Sequence, residues 1–433
     1  MKDNCPILMQ QTESTISILL RRNIMPNIEL LEKSMPVAPI RIAALEGCRD
    51  LAEEVDRKLV KFRKELVEKK GLNNIPQGYS EKSFLVDCEC PRFGTGEGKG
   101  IIKESVRGTD LYIMVDVTNY SSTYTVCGHV NHMSPDNHFQ DLKRIISAAN
   151  GKAHRINVIM PFLYEGRQHR RKKRESLDCA VALRELSDMG VSNIITFDAH
   201  DPRVQNSIPL NGFDNFFPTY QFLKALVKNV DNFQVDNDHL MIISPDEGAM
   251  SRAVYFSNIL GVDMGMFYKR RDYSTVVNGK NPIVAHEFLG DSVEGKDVVI
   301  IDDMISSGES MLDVAKQIKE RHANRVFICT TYGLFTEGMD KFDAYYEKGW
   351  IDKVITTNLN YRIPELLTSC LLYTSRRIPT MAIFSWKTAW ECCGCLEQRC
   401  RTHWLSWMEM TGRFRQSVPQ EPWRRLILPA IWE

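Results

Sequence analysis

Two adjacent carboxylates and a turn of small hydroxyl residues occur together in residues 297–310, DVVIIDDMISSGES. Asp302 and Asp303 follow four apolar β-formers at 298–301, which read as a buried parallel strand. Ser306, Ser307, Gly308 and Ser310 make the turn. Met311, Val314, Ala315 and Ile318 then recur at helical spacing. Ser306 and Glu309 have capping-box spacing, which predicts a helix start with Glu309 turned back on Ser306 and away from any ligand. Backbone N–H groups at such a turn, with the helix dipole behind them, suit a phosphate. The paired acids suit sugar hydroxyls or a Mg²⁺ ion. A strand, turn and helix alone is common in α/β proteins, and a single acid after a strand is as often a solvated loop residue or a cap as a ligand.

The elements that must position these residues alternate along the chain. Residues 156–162 read as a strand, 177–189 as a helix, 193–197 as a strand, 240–243 as a strand and 249–260 as a helix. Further on, 264–268 reads as a strand, 311–322 as a helix and 326–332 as a strand. Such alternation predicts an α/β fold, a mainly parallel sheet with helices on both faces and ligands at the carboxyl ends of the strands. Five predicted strand ends carry chemistry. Arg167, Gln168, His169, Arg170 and Arg171 follow the first; Asp198, His200, Asp201 and Gln205 follow the next. Asp246, Glu247 and Arg252 come after 240–243, Lys269, Arg270 and Arg271 after 264–268, and the acid pair after 298–301. Singly, each has a plainer explanation: six cations within residues 167–174 are more often a solvated patch, and a lone histidine is more often structural. Their gathering at one sheet edge points to a ligand with several phosphates and a divalent metal.

Upstream, 41–68 reads as a charged helix with Leu45, Leu51, Val55, Leu59 and Phe62 among its apolar positions, ended by the turn-rich 71–78. Strands are predicted at 84–86 and 111–117, and an amphipathic helix at 139–149. Residues 93–100 hold four glycines in eight positions, a hairpin turn more than a phosphate cradle. Cys88 and Cys90 form a lone CxC, a poor metal site. Short helices at 16–20 and 28–31 carry no chemistry.

The chain has 433 residues, enough for two domains, with 43% hydrophobic and 25% charged residues and a formal net charge of zero. Global charge therefore favours neither nucleic acid nor membrane. No apolar run reaches the roughly 18 residues of a membrane span. Residues 1–14 lack a signal-peptide core, and the cysteines show no disulfide rhythm before residue 370, so a cytoplasmic protein with reduced thiols is expected.

Residues 41 to about 369 resemble the ribose-phosphate pyrophosphokinases (PRPP synthetases). The resemblance rests on Arg167-Gln168-His169-Arg170, on Asp198-Ala199-His200-Asp201, on Ser244-Pro245-Asp246, on Lys269-Arg270-Arg271 and on the loop 302–310, in that order. Residues 93–97, FGTGE, resemble the loop that in the family reaches ATP on a neighbouring subunit. The family implies two phosphoribosyltransferase-like α/β domains in dimer-based homo-oligomers, hexamers included. The implied reaction is that of a ribose-phosphate diphosphokinase: ATP and ribose 5-phosphate give AMP and PRPP, the anomeric hydroxyl attacking the β-phosphorus. It further implies Lys269 and Arg271 as catalytic residues. Phe93, Glu97, Arg167, Gln168 and Arg170 would contact ATP. Asp302, Asp303, Ser306, Ser307, Gly308 and Ser310 would bind ribose 5-phosphate, and His200 and Asp246 would hold Mg²⁺. The departures are Thr95 for an Asp, Ala199 for a Leu, Glu309 for a Gly, and a longer segment at 117–139. Rival readings are a phosphoribosyltransferase that consumes PRPP and a non-catalytic regulatory paralogue.

The expected domains are an N-terminal extension at 1–39, an N-terminal domain at 40–215 and a C-terminal domain at 216–369. Residues 370–433 differ in composition, with six of seven tryptophans and five of twelve cysteines, and read as a frameshifted or read-through tail.

Overall fold

The computed structural model describes residues 37–70, 81–149, 151–271, 283–364, 366, 369 and 371–374. The expectations for 1–36, 71–80 and the tail beyond Thr374 lie outside these residues.

In chain order the first half contributes β1 (Ile40–Ala44), α1 (Arg49–Lys70), β2 (Leu85–Val86), β3 (Cys88–Glu89), β4 (Ile101–Ile102) and β5 (Asp110–Met114). There follow β6 (Thr123–Val126), β7 (His129–His132), α2 (Pro135–Ala149), β8 (Arg155–Ile159), α3 (Asp178–Asp188), β9 (Asn193–Phe197) and β10 (Gly212–Phe216). Six strands form a parallel sheet in the order β10-β9-β8-β5-β1-β2. Its two faces follow from strand alternation. Ala43, Leu111, Ile113, Val158 and Ile194 pack with α2 and α3. Ile42, Ala44, Tyr112, Met114, Ile159 and Ile195 pack with α1. Each fully buried Ile or Leu contributes about 1.5–3 kcal/mol.

The second half contributes α4 (Thr219–Asn229), β11 (Leu240–Ser244), α5 (Met250–Leu260), β12 (Met264–Arg271), β13 (Ile283–Leu289) and β14 (Asp297–Ile305). It closes with α6 (Glu309–Glu320), β15 (Val326–Gly333), α7 (Asp340–Glu347), β16 (Lys353–Thr356) and β17 (Leu372–Thr374). The sheet order is β13-β12-β11-β14-β15-β16-β17, parallel except for the β12/β13 pair. Again two apolar faces result: Met241, Ile243, Val298, Ile300 and Ile328 beneath α6, and Leu240, Ile242, Val299, Ile301 and Phe327 beneath α4 and α5.

Three expectations need correction. Residues 41–44 belong to a strand, because IRIAA is a short apolar run sandwiched between β2 and β5, and the helical period begins only at Arg49. Strand β14 does not stop before the acids. It pairs with β15 through Asp302, Met304 and Ile305. The C-terminal sheet also runs past residue 369, since Leu371 and Leu372 are buried and β17 pairs with β16.

The domains meet through polar groups that are themselves buried. Tyr332 of β15 packs with Phe197 and Leu359 and donates its hydroxyl toward the carbonyls of Pro161 and Phe197. Asp116 accepts the Tyr361 N–H at 2.6 Å, and Asp198 accepts the Thr331 hydroxyl at 2.5 Å. These contacts bring the ends of β9 and β14 to one cleft.

Candidate active site

The cleft has a volume of about 830 Å³. From the first domain it is lined by Arg167, Arg170, Lys172 and His200; from the second by Asp246, Arg252, Tyr268, Asp302, Asp303 and the turn from Ile305 to Met311. Ten of the fifteen residues expected to form a site, which include Ser306, Ser307, Gly308 and Ser310, thus share one cavity.

His200 follows β9. Its Nδ1 lies 2.6 Å from Asp303 Oδ2. That contact draws the Nδ1 proton to the carboxylate and leaves Nε2 as the nitrogen able to ligate. Asp246 sits in a tight turn between β11 and α5. Its Oδ1 accepts the N–H groups of Gly248 (2.9 Å) and Ala249 (3.2 Å), which fixes the carboxylate. A hard cation held by one or two side chains and by substrate phosphates suits this donor set.

Asp302 and Asp303 differ in electrostatic character. Burial and the neighbouring Asp303 charge push the Asp302 carboxyl well up. Burial would push Asp303 up as well, but the His200 hydrogen bond and the Arg252 guanidinium outweigh it and hold the group below its ordinary value. Asp302 lines the cleft, and among the described residues its carboxylate forms no ion pair. Asp303, buried to 3% exposure, is committed to His200, a partner 103 residues away in sequence.

The turn after β14 departs from the expected capping box. Helix α6 starts at Glu309, and its N-cap is Gly308 in the left-handed region, with φ of +82°. A glycine has no side chain to cap with, and Ser306 lies too early. Glu309 does not turn back on Ser306: its Oε1 lies 2.8 Å from Lys341 Nζ of α7. Lys341 also reaches Glu337 at 2.7 Å. The extra charge beside the turn is thus paired away. The first N–H groups of α6 have no intrahelical acceptor, and the residues that carry them line the cavity.

Some expected residues are placed elsewhere. Gln168 donates its amide to the Ser176 carbonyl at 2.7 Å and does not line the cleft. Phe93 and Glu97 lie on the β3–β4 hairpin, away from this cavity. Phe93 is half-exposed, with Lys99 Nζ 5.9 Å from its ring centre, and Thr95 donates to Glu97 at 3.0 Å. Lys269 and Arg271 are on β12, paired in register with His286 and Ile283; their side chains lie outside the described residues. Lys172, Tyr268 and Arg252 also line the cleft, although the family resemblance assigned them no role. Arg252 carried the one available signal, being six residues past Asp246 on the helix that follows that strand.

Residues 40–190 match the N-terminal domain of ribose phosphate pyrophosphokinase, and residues 221–362 match the phosphoribosyl transferase domain. The ribose-phosphate pyrophosphokinase of Thermosipho africanus is 31% identical over 257 residues, covering 59% of this chain and 73% of that protein. The chain belongs to the ribose-phosphate pyrophosphokinase family. The enzyme of that name from Vibrio parahaemolyticus is 32% identical over 257 residues, 58% of this chain and 73% of its own length. Among solved structures, phosphoribosylpyrophosphate synthetase from Mycobacterium smegmatis aligns over 81% of this chain and 98% of its own, with a TM-score of 0.59. At 19% identity that likeness establishes the fold, two phosphoribosyltransferase-type domains.

Proposed function

We propose that the protein is a ribose-phosphate diphosphokinase that moves the diphosphoryl group of ATP to ribose 5-phosphate, giving PRPP and AMP. The observation that carries this reading is the two-sided cleft. Its first wall offers Arg167, Arg170 and His200; its second offers Asp246 and an anion-binding helix start at residues 306–310. A phosphoribosyltransferase needs the second wall and not the first, and the match of residues 40–190 favours the two-walled enzyme.

The residues have separable tasks. Ser306, Ser307, Gly308 and Ser310 hold the 5-phosphate at the start of α6, and Asp302 orients the ribose hydroxyls. Arg167 and Arg170 hold the nucleotide's phosphates and adenine edge. His200 through Nε2 and Asp246 hold Mg²⁺, which when bound neutralises the triphosphate and polarises the transferred group. Asp303 keeps His200 in the tautomer that ligation needs. Lys269 and Arg271 meet charge on the transferred diphosphoryl group. The anomeric oxygen then forms its bond to the β-phosphorus as the bridge to the α-phosphorus breaks, a step governed by positioning and charge.

Phe93 and Glu97 serve a neighbouring protomer's nucleotide in a dimer-based homo-oligomer, hexamers included. Helix α5 supports an assembly. Besides its buried Ala253 and Phe256, it leaves Met250, Val254, Tyr255 and Ile259 exposed, next to an exposed Phe217 whose ring lies 6.0 Å from Tyr255. An apolar cluster exposed on a helix surface calls for cover. Among the described residues no helix is long and apolar enough to cross a membrane.

The test is incubation with ATP, Mg²⁺ and ribose 5-phosphate, without a nucleobase. AMP and PRPP should appear in equal amounts. A folded protein that yields no AMP overturns the proposal.

A further inference from the structure

One side chain of the second half of the cleft reaches across to the first. Arg252 lies in the first turn of α5, with its side chain only 8% exposed. Its Nε donates to Asp198 Oδ1 at 2.5 Å, across the domain junction. Its Nη2 donates to the Ala199 carbonyl at 3.0 Å and stands 3.5 Å from that of His200. On its own side, Nη1 is 3.4 Å from the Gly248 carbonyl, within the turn that Asp246 closes. Finally, Nη2 lies 3.8 Å from Asp303, the carboxylate that orients His200.

The opposite side of Asp198 is held as well. Its Oδ2 accepts the fully buried Thr331 hydroxyl at 2.5 Å. Asp198 adopts a φ of +41°, which a non-glycine residue takes only when its surroundings enforce it. That turn sets the direction in which the next two residues leave β9, and the second is His200. A planar guanidinium suits the task because its donors diverge at fixed angles. An ammonium is a single point and cannot reach Asp198, Ala199 and Gly248 together.

We infer that Arg252, clamped to Asp198, whose other oxygen Thr331 holds, is a positioning residue that fixes the spacing between His200 and Asp246 across the domain junction. It acts on the loop that carries one proposed Mg²⁺ ligand and on the turn that carries the other, and leaves the 306–310 turn alone. This inference rests on the metal role given above to His200 and Asp246.

The experiment measures two binding constants on the full chain without turnover: Mn²⁺ by electron paramagnetic resonance with ATP present and ribose 5-phosphate absent, and ribose 5-phosphate by calorimetry. Arg252→Lys should weaken Mn²⁺ binding by roughly tenfold to a hundredfold, the usual range for a lost outer-shell contact, and leave ribose 5-phosphate binding within about twofold. Thr331→Val, nearly the same shape as the parent residue, should weaken Mn²⁺ binding by a smaller factor in the same selective way; it decides the matter where Arg252→Lys does not fold. Unchanged Mn²⁺ affinity in a folded variant, or equal loss of both ligands, overturns the inference. A parent protein that binds no Mn²⁺ overturns the metal assignment itself and the inference with it.

Discussion

Gly308 is the point where backbone conformation, packing and the proposed phosphate site coincide, so Gly308→Ala is the sharpest perturbation available. Two costs can be worked from the structure. The residue has φ of +82°, where a Cβ costs about 1–2 kcal/mol. The new Cβ would also sit inside the contact distance of the Phe342 ring. That ring cannot step aside, because it is fully buried and packs edge-on to Phe335 with centroids 5.3 Å apart. Forced overpacking of this kind costs about 1–3 kcal/mol. The sum is about 2–5 kcal/mol, drawn from global stability or from displacement of the α6 start. Phe342→Leu removes the tip of the ring at a separate cost on the order of 1–2 kcal/mol. In the double variant the packing part should vanish while the φ part remains. Urea denaturation of the four proteins should therefore give a coupling of about 1–3 kcal/mol in favour of the double variant. Calorimetry should show ribose 5-phosphate binding lost in Gly308→Ala and only partly recovered in the double. Additivity within about 0.5 kcal/mol would refute the reasoning, since the ring would then not be what excludes a side chain at 308.

Other consequences are simpler. Tyr332→Phe leaves the carbonyls of Pro161 and Phe197 without their buried hydroxyl at the domain junction. It should lower stability by about 1–3 kcal/mol, read by thermal or urea unfolding, and a change indistinguishable from zero would remove that contact from the interface. Lys341→Ala frees the Glu309 carboxylate beside the phosphate turn; KM for ribose 5-phosphate should rise with kcat unchanged. The rise should shrink in added salt and disappear in the Lys341→Ala, Glu309→Gln double variant, and persistence there would clear Glu309 of any role. Gly96→Ala meets both a φ of +93° and a Val126 methyl 2.8 Å from the new Cβ. It should loosen the turn at residues 93–97, seen as faster proteolysis there and a raised KM for ATP; an unaltered cleavage pattern would show that the turn tolerates a side chain.

The strands and helices that were legible in the sequence share one property: their burial repeats. Strands β9, β11 and β15 are buried along nearly their whole length, so their apolar runs announced them. Strands β6 and β7 were illegible for the opposite reason. HVNH is exposed throughout, and the alternation in TYTV, half-buried at Tyr124 and Val126, is too short to stand out. Their hairpin is nevertheless placed with purpose, since the Cys127 N–H reaches the Gly94 carbonyl at 2.8 Å and Arg92 lies 5.3 Å from the Tyr124 ring centre. Strand β1 escaped because five residues beside a long helical pattern cannot shift the dominant period.

The site divides along the same line. Residue types and strand-end positions located ten of its members, because a parallel sheet delivers every strand end to one edge. The pairing among those members stayed hidden. Nothing local to Asp303 says that it will face His200 and not a sugar, and nothing local to Glu309 says that Lys341 will claim it. Those choices are made by which domain surface meets which, and the meeting is fixed by Tyr332, Asp116 and Arg252, none of which stands in a recognisable motif. The acid pair illustrates the consequence. Two adjacent carboxylates, equivalent in sequence, are shifted in opposite directions: burial and its neighbour's charge push Asp302 up, while a histidine and an arginine beside Asp303 outweigh its burial and hold it down. Division of labour between Asp302 and Asp303 is thus a property of the domain junction, and a change at that junction alters the chemistry of β14 without touching its sequence.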